Sequence, residues 1–139
     1  MDIRSCITDD MMPAFEGVIP AVLASSSAEG IPNVTYISQV YYVDEKHVAL
    51  SRQFFNKTVR NILENPTVRV ILTCPVTYIM YKLLLKFNES RDEGDIYEEM
   101  KLQLETIASM QGKSDVFNLK AADIYEILSI EIVYSFSKA

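Results

Sequence analysis

The chain is poor in the residues that build most catalytic centres. Its 139 residues include one histidine, His47, and two cysteines, Cys6 and Cys74, with no CxxC spacing. Three soft ligands for zinc cannot readily be assembled from that stock. A Ser-His-Asp or Cys-His arrangement could form only through His47, which stands beside Lys46 at the start of an expected strand and reads as a structural or surface residue. Neither GxGxxG nor GxxxxGK[ST] occurs, so the glycine cradles that hold nucleotide phosphates are missing. Glycine (4) and proline (5) are too few for a collagen-like or low-complexity chain. No apolar run approaches the roughly 20 residues of a membrane-spanning helix; the best, Val18 to Ala24, is far too short. The start, Met1-Asp2 with further acids at Asp9 and Asp10, lacks the basic and apolar regions of a signal peptide. Two isolated cysteines behind such a start read as reduced thiols, which sets the expectation of a cytoplasmic protein.

What is present suits one globular domain spanning residues 1–139, with its core at about 14–133. Apolar residues make up 49% and charged residues 23% of the chain, enough for a single core. The formal net charge of -6 argues against nucleic acid or an anionic membrane as partner. Asp9 and Asp10 are placed to cap a short helix running to about Phe15 and stopped near Gly17. Strands are expected at Val18 to Ser25, at Asn33 to Tyr42 and at His47 to Arg52, joined by a turn cluster at Ser26 to Pro32 and a short connection at Asp44 to Lys46. Short connections make these antiparallel neighbours. The period then changes: Asn56 is a good N-cap, Val59, Ile62 and Leu63 fall on one helical face, and Asn65-Pro66 ends the helix. Val68-Val70-Leu72 and Tyr81-Leu83-Leu85-Phe87 alternate as two strands broken by Pro75. Asp92 to Gln111 carries Ile96, Tyr97, Met100, Leu104 and Ile107 at helical spacing before Gly112 as C-cap, and a last strand covers Ala122 to Val133, with Ile124, Glu126, Leu128 and Ile130 on one side. Six strands, mostly antiparallel and flanked by helices, remove their edges most simply by closing into a small barrel.

Most conspicuous charges need no special role. Glu98-Glu99 and Asp92-Glu93 fall on the solvent side of the expected helix, and the six methionines are scattered as core filling. One stretch is different. Lys46 to Leu63 contains no acid in a chain with 19 of them, yet carries Lys46, Arg52, Lys57 and Arg60. Lys57 and Thr58 stand in the first turn after the Asn56 cap. A cation there is unfavourable at an empty helix N-terminus, by a few tenths of a kcal/mol. A bound phosphate reverses that sign; the plain alternative is that Lys57 points into water.

The run Gly30-x-Pro32-Asn33-Val34-Thr35-Tyr36-Ile37-Ser38-Gln39-Val40, then Val48-Ala49-Leu50-Ser51-Arg52-Gln53-Phe54-Phe55-Asn56-Lys57-Thr58-Val59-Arg60-Asn61, then Glu64-Asn65-Pro66, resembles the pyridoxamine 5′-phosphate oxidase-like family of FMN-binding split barrels. The later Phe117-x-Leu119-x-Ala121-Ala122-Asp123-Ile124-Tyr125 resembles the closing strand of one bacterial branch, and the likeness covers roughly residues 14 to 131. It implies a six-stranded antiparallel split β-barrel with flanking helices, FMN as cofactor, and a homodimer with FMN at its interface. It also implies site roles. Thr35, Tyr36, Ile37 and Ser38 line the isoalloxazine and ribityl chain, and Ser51 and Arg52 lie beside the ring or phosphate. Behind the Asn56 cap, Lys57 and Thr58 grip the 5′-phosphate. Thr58 replaces a second cation with a hydroxyl that still donates a hydrogen bond. Thr35 stands where the oxidases proper carry arginine, and Met80 where relatives often have glutamine. The C-terminal Arg-x-His type motif of those oxidases has no counterpart in Ser135-Phe136-Ser137-Lys138-Ala139, so pyridoxamine phosphate oxidation is not assigned.

The expected function is that of an FMN-binding oxidoreductase of unspecified substrate, with a nicotinamide or another small molecule as electron partner and no assigned catalytic acid or base. The alternatives are a non-catalytic flavin-binding or sensor module, a deazaflavin- or haem-binding relative on the same barrel, and a barrel that has lost its cofactor. Haem would need an axial ligand from His47, a cysteine or a methionine. Pairing has a separate motive. Val34, Tyr36, Ile37, Val40, Tyr41 and Tyr42 in one strand and Tyr78 to Leu85 in another put apolar groups on both faces, and a small barrel has only one interior to fill.

Overall fold

The structure is a computed structural model describing residues 3–37, 39–52, 57–110 and 119–134. Eight strands form one antiparallel sheet. In chain order they are β1 (Ile3–Arg4), β2 (Ala21–Ser26), β3 (Pro32–Ile37), β4 (Val40–Asp44), β5 (His47–Arg52), β6 (Thr67–Thr73), β7 (Met80–Arg91) and β8 (Ala121–Tyr134), with a 3-10 helix at Asp9–Glu16 and α-helices α1 (Lys57–Glu64) and α2 (Asp95–Met110). The strand order is β3-β2-β6-β7-β8-β5-β4, with β1 added beside β8. The sheet's edge strands, β3 and β4, are consecutive in the chain.

Period-two alternation explains the barrel interior. Leu23, Val48, Leu50, Val68, Val70, Leu72, Tyr81, Leu83, Leu85 and Tyr125 all point into one cluster, and burying each large aliphatic side chain contributes about 1.5–3 kcal/mol. The registers pair Leu23 with Val70 and Val70 with Leu83, which aligns the inward residues in layers. The 3-10 helix closes one end through Met11 and Ala14. Helix α1 closes the other: Ile62 joins the core and the Asn61 amide donates to Ser25 Oγ at 3.3 Å. A second, smaller cluster sets α2 on the outside of the barrel, with Met100 and Leu104 over Ala49, Ala122 and Ile124. No helix among the described residues is long and apolar enough to cross a membrane.

The mainly β class and its split barrel agree with expectation; several details do not. The sheet has eight strands, not six. The expected Asn33–Tyr42 strand is two strands, because Gln39 turns into α2, where its amide donates to the Met100 carbonyl at 3.2 Å and to Gln103 Oε1 at 3.1 Å. The short β1 carries no alternation that a sequence could show. The first helix is 3-10, with Thr8 in the N-cap position and Gly17 ending it at φ 79°; Asp9 and Asp10 lie inside its first turn. Strand β2 begins at Ala21, and Val18 is exposed in the turn before it. Leu63 is 75% exposed, so the apolar face of α1 is narrower than its spacing implies. Helix α2 starts at Asp95, after Gly94 at φ 96°.

In β8, Ile130 does not share a side with Ile124 and Leu128. The ladder with β7 shifts between Leu84↔Ser129 and Leu85↔Ile127, which bulges Leu128 outward. Tyr125, Ile127 and Ile130 therefore all face the barrel interior, while Ile124 packs under α2. The expected Asn56 and Gly112 caps and the tail beyond Tyr134 lie outside the described residues.

Candidate cofactor site

Helix α1 follows β5 in the chain and packs against β2 and β3. Its C-terminal turn is fastened to the β2–β3 hairpin, with Ala28 N–H donating to Glu64 Oε1 at 3.0 Å and the Asn65 amide to Ser26 Oγ at 3.0 Å. Lys57 and Thr58 are the first two residues of α1. Their side chains, like Ser38 and Asn56 altogether, lie outside the described residues. Of the other residues singled out in the sequence, Thr35, Tyr36 and Ile37 sit on β3. The pleat divides them: Tyr36 is 76% exposed, while Thr35 and Ile37 are half-buried and Ile37 packs against the core. Thr35 Oγ1 donates to the Tyr36 carbonyl at 3.3 Å. The fold thus brings β3 and α1 together; Ser51 and Arg52 take the last two positions of β5, a strand that pairs with β4 and β8.

Tyr36 belongs to a continuous surface. The registers place it beside Val22, Val22 beside Ile71 and Ile71 beside Lys82, whose ammonium pairs with Glu131 at 3.2 Å. The next row runs Val34, Ala24, Arg69, Leu84. This outer sheet face is apolar toward β3 and charged toward β8. Val34 is 65% exposed.

Arg52 is held from three directions. Its carbonyl accepts the Lys120 N–H at 2.7 Å, its Nε donates to Asp123 Oδ2 at 2.9 Å, and its Nη2 donates to Ser90 Oγ at 3.1 Å. The Ser90 hydroxyl in turn donates to Asp123 Oδ1. Asp123 is buried, so its charge is met inside the protein by Arg52. Tyr125 lies in the same region of β8; burial first, and the nearby Asp123 charge second, push its phenol well above the ordinary range, against the opposing pull of Arg52.

Sequence reasoning missed Asp123 and Ser90 as partners of Arg52. A signal existed for Asp123, an acid between Ala121-Ala122 and Ile124-Tyr125, where an apolar strand would otherwise carry a hydrophobic residue. Gln39 was missed too, although it is buried and its Oε1 has no hydrogen-bond partner among the described residues. His47 is accounted for at the β4–β5 turn, its Nδ1 2.9 Å from Asp44 Oδ1. Among the described residues no three His, Cys, Asp or Glu side chains cluster as metal ligands.

The exposed Tyr36 side of β3 offers an aromatic surface, and the start of a helix in a stretch without acids is of the kind that suits an anion.

The family model described as pyridoxamine 5′-phosphate oxidase matches residues 7–127. The chain belongs to the pyridoxamine 5′-phosphate oxidase family. Among curated relatives of this oxidase-family chain, an uncharacterised protein of Methanocaldococcus jannaschii is 29% identical over 123 residues, covering 83% of this chain and 82% of the relative. Among solved structures, an FMN-binding protein from Syntrophomonas wolfei superposes with a TM-score of 0.74 at 15% identity, covering 90% of this chain and 85% of the other. HupZ of group A Streptococcus gives a TM-score of 0.70 at 24% identity, covering 96% and 98%. At these identities the likeness is one of fold. The same fold carries an F420 reductase, at a TM-score of 0.64, 13% identity and coverage of 90% and 98%, and HutZ, a haem storage protein of Vibrio cholerae, at 0.54, 15% identity and coverage of 89% and 93%.

Proposed function

We propose that this member of the pyridoxamine 5′-phosphate oxidase family binds FMN and works as a flavin-dependent oxidoreductase in the cytoplasm, as a homodimer with the cofactor at the subunit interface. The observation that supports the reading is the exposed Tyr36 face of β3 on a strand that α1 packs against, with α1 beginning in a stretch, Lys46 to Leu63, that is basic and free of acids. Thr35, Tyr36, Ile37 and Ser38 serve the ring and ribityl chain. Ser51 and Arg52 border them, and Asn56, Lys57 and Thr58 take the phosphate. A bound flavin supplies hydride or electron transfer, and the protein supplies binding, orientation and electrostatics. The uncovered face formed by Val34, Tyr36, Val22 and Ile71 is what a second copy buries.

The absorption spectrum of the purified protein tests the cofactor. The two-band visible spectrum of oxidised flavin supports the reading, and a protein that takes up neither FMN nor riboflavin refutes it. Titration with a deazaflavin in parallel separates the F420-type alternative, which shares the ring platform. Bleaching of the bound flavin by NADH or NADPH identifies a nicotinamide-linked reductase; photoreduction without any reduction by nicotinamide identifies a binding or sensor module. The haem alternative has less to work with, because His47 is bonded to Asp44 at the β4–β5 turn, the opposite end of β5 from Arg52.

A further inference from the structure

The pleat puts every second residue of β6 and β7 on the outer sheet face, and three cations are among them. Arg69 is exposed on β6, opposite Leu84 of β7. Lys82 and Lys86 stand two residues to either side of Leu84 on the same face. Both are therefore diagonal neighbours of Arg69, about 7–8 Å away and within reach of long side chains. Lys82 is neutralised by Glu131 of β8 at 3.2 Å. Among the described residues, Arg69 and Lys86 form no ion pair and no side-chain hydrogen bond. The other outward neighbours of Arg69 are Ala24 on β2 and Thr67 and Ile71 on its own strand, none of them an acid. Like charges placed side by side on a sheet are destabilising, and here they meet in a chain of net charge -6. The row Val34, Ala24, Arg69 runs next to the row Tyr36, Val22, Ile71. Strand β6 lies two strands from β3, about 10 Å, and only the methyl of Ala24 stands between Arg69 and Val34 in that row.

We infer that Arg69, supported by Lys86 and Lys82, is the anion-recognising residue of this face, and that the substrate of the flavin carries a carboxylate or a phosphate. A planar guanidinium donates two parallel hydrogen bonds to either group, which an ammonium does not. The flanking lysines raise the local concentration of anions at a chain whose net charge repels them. An anion held at Arg69 is separated from the aromatic surface of Tyr36 by the single strand β2, a gap that one small organic molecule spans. The anion site itself needs no flavin. Its link to a substrate rests on the FMN reading above, which puts the ring on the Tyr36 side of β3.

The first test is titration of inorganic phosphate into the flavin-free full chain, followed by the backbone amide NMR shifts of β2, β6 and β7. The proteins are wild type, Arg69→Gln, Arg69→Lys and Arg91→Gln. The last removes the same charge at the end of β7, where Arg91 pairs with Glu89. Arg69→Gln is expected to weaken phosphate about tenfold, the scale of one charge-assisted hydrogen bond. Arg69→Lys keeps the charge and loses most of that affinity, because the fork is gone; Arg91→Gln changes nothing. Equal losses in Arg69→Gln and Arg91→Gln reduce the effect to net charge and overturn the inference, as does a wild type whose β6 shifts ignore phosphate. The second test reoxidises the FMN-loaded, photoreduced protein at fixed ionic strength with ferricyanide, an anion, and with hexaammineruthenium(III), a cation. Arg69→Gln should slow the first several-fold and spare the second; equal slowing of both overturns the link to substrate. Sedimentation of the same variants excludes the rival role. A dimer lost in Arg69→Gln, with phosphate affinity intact, assigns Arg69 to an acid of a second copy and overturns the inference. A wild type that takes up no flavin refutes the FMN reading, while the phosphate titration, run without flavin, still decides the anion site.

Discussion

At the scale of single residues, the acid-free stretch divides its cations. Arg52 is paired inside the protein with Asp123, and Lys57 is the cation proposed for the phosphate. Lys57→Ala is therefore expected to weaken FMN ten- to a hundredfold while sparing riboflavin, since a charge-assisted hydrogen bond is worth about 1.5–3 kcal/mol; comparing the two dissociation constants checks it. A second residue effect lies under α2. Burial first, and then the Glu99 carboxylate to which it hydrogen-bonds, push the Tyr41 phenol up from 10.0 to about 12. A raised folded-state value means the stabilisation is complete below pH 10 and is lost as pH climbs toward 12. Melting temperatures between those limits should fall less steeply for Tyr41→Phe than for wild type. Parallel slopes would show that Tyr41 does not titrate in this way.

At the scale of elements, β8 shows how one extra residue repairs a pattern. Strict alternation puts Ile124, Leu128 and Ile130 on one side; the bulge at Leu128 separates Ile130 from the other two and lets Ile127 and Ile130 both reach the interior. Two substitutions discriminate these arrangements. Leu128→Lys, at a position 44% exposed, should change stability by no more than about 0.5 kcal/mol. Ile130→Ala, at a fully buried position, should cost about 2–5 kcal/mol. Denaturant midpoints measure both, and comparable losses at the two positions would contradict the bulge. Helix α1 makes a related point. Its spacing nominates Val59, Ile62 and Leu63 as one face, but an end-plug has room for a narrow stripe. Ile62 and Asn61 are buried and Leu63 is left in water.

At the scale of the whole molecule, one sheet closes around one interior, and part of its outer face remains apolar. Tyr36 at 76% and Val34 at 65% exposure, continuous with Val22 and Ile71, make a surface that a stable protein covers. A two-fold dimer burying about 2,000 Å2 or more would cover it twice at once. Cofactor and assembly should then be linked. FMN raises the dimer fraction at micromolar protein, and dilution releases FMN. Sedimentation with and without FMN checks this, and a monomer retaining one FMN per chain would end the shared-site proposal.

Local signals in the sequence were enough for the class of this fold and for singling out the basic segment proposed to hold the phosphate. Alternating residues such as Val68-Val70-Leu72 and Tyr81-Leu83-Leu85 state which face is buried, because a strand's period does not depend on its partners. The Asn65-Pro66 stop is a property of the backbone before proline and holds, with α1 ending at Glu64. The absence of acids from Lys46 to Leu63 marks the basic segment with no structure at hand. Tertiary structure decided the rest, because those features are relations between distant segments. Gln39 divides a strand by bonding to α2, sixty-one residues on. Leu128 bulges to keep register with β7. Arg52, in the sequence one cation of four, meets Asp123 seventy-one residues away and is neutralised there. Pairings across such separations are set by the register of the sheet, and no local pattern contains it.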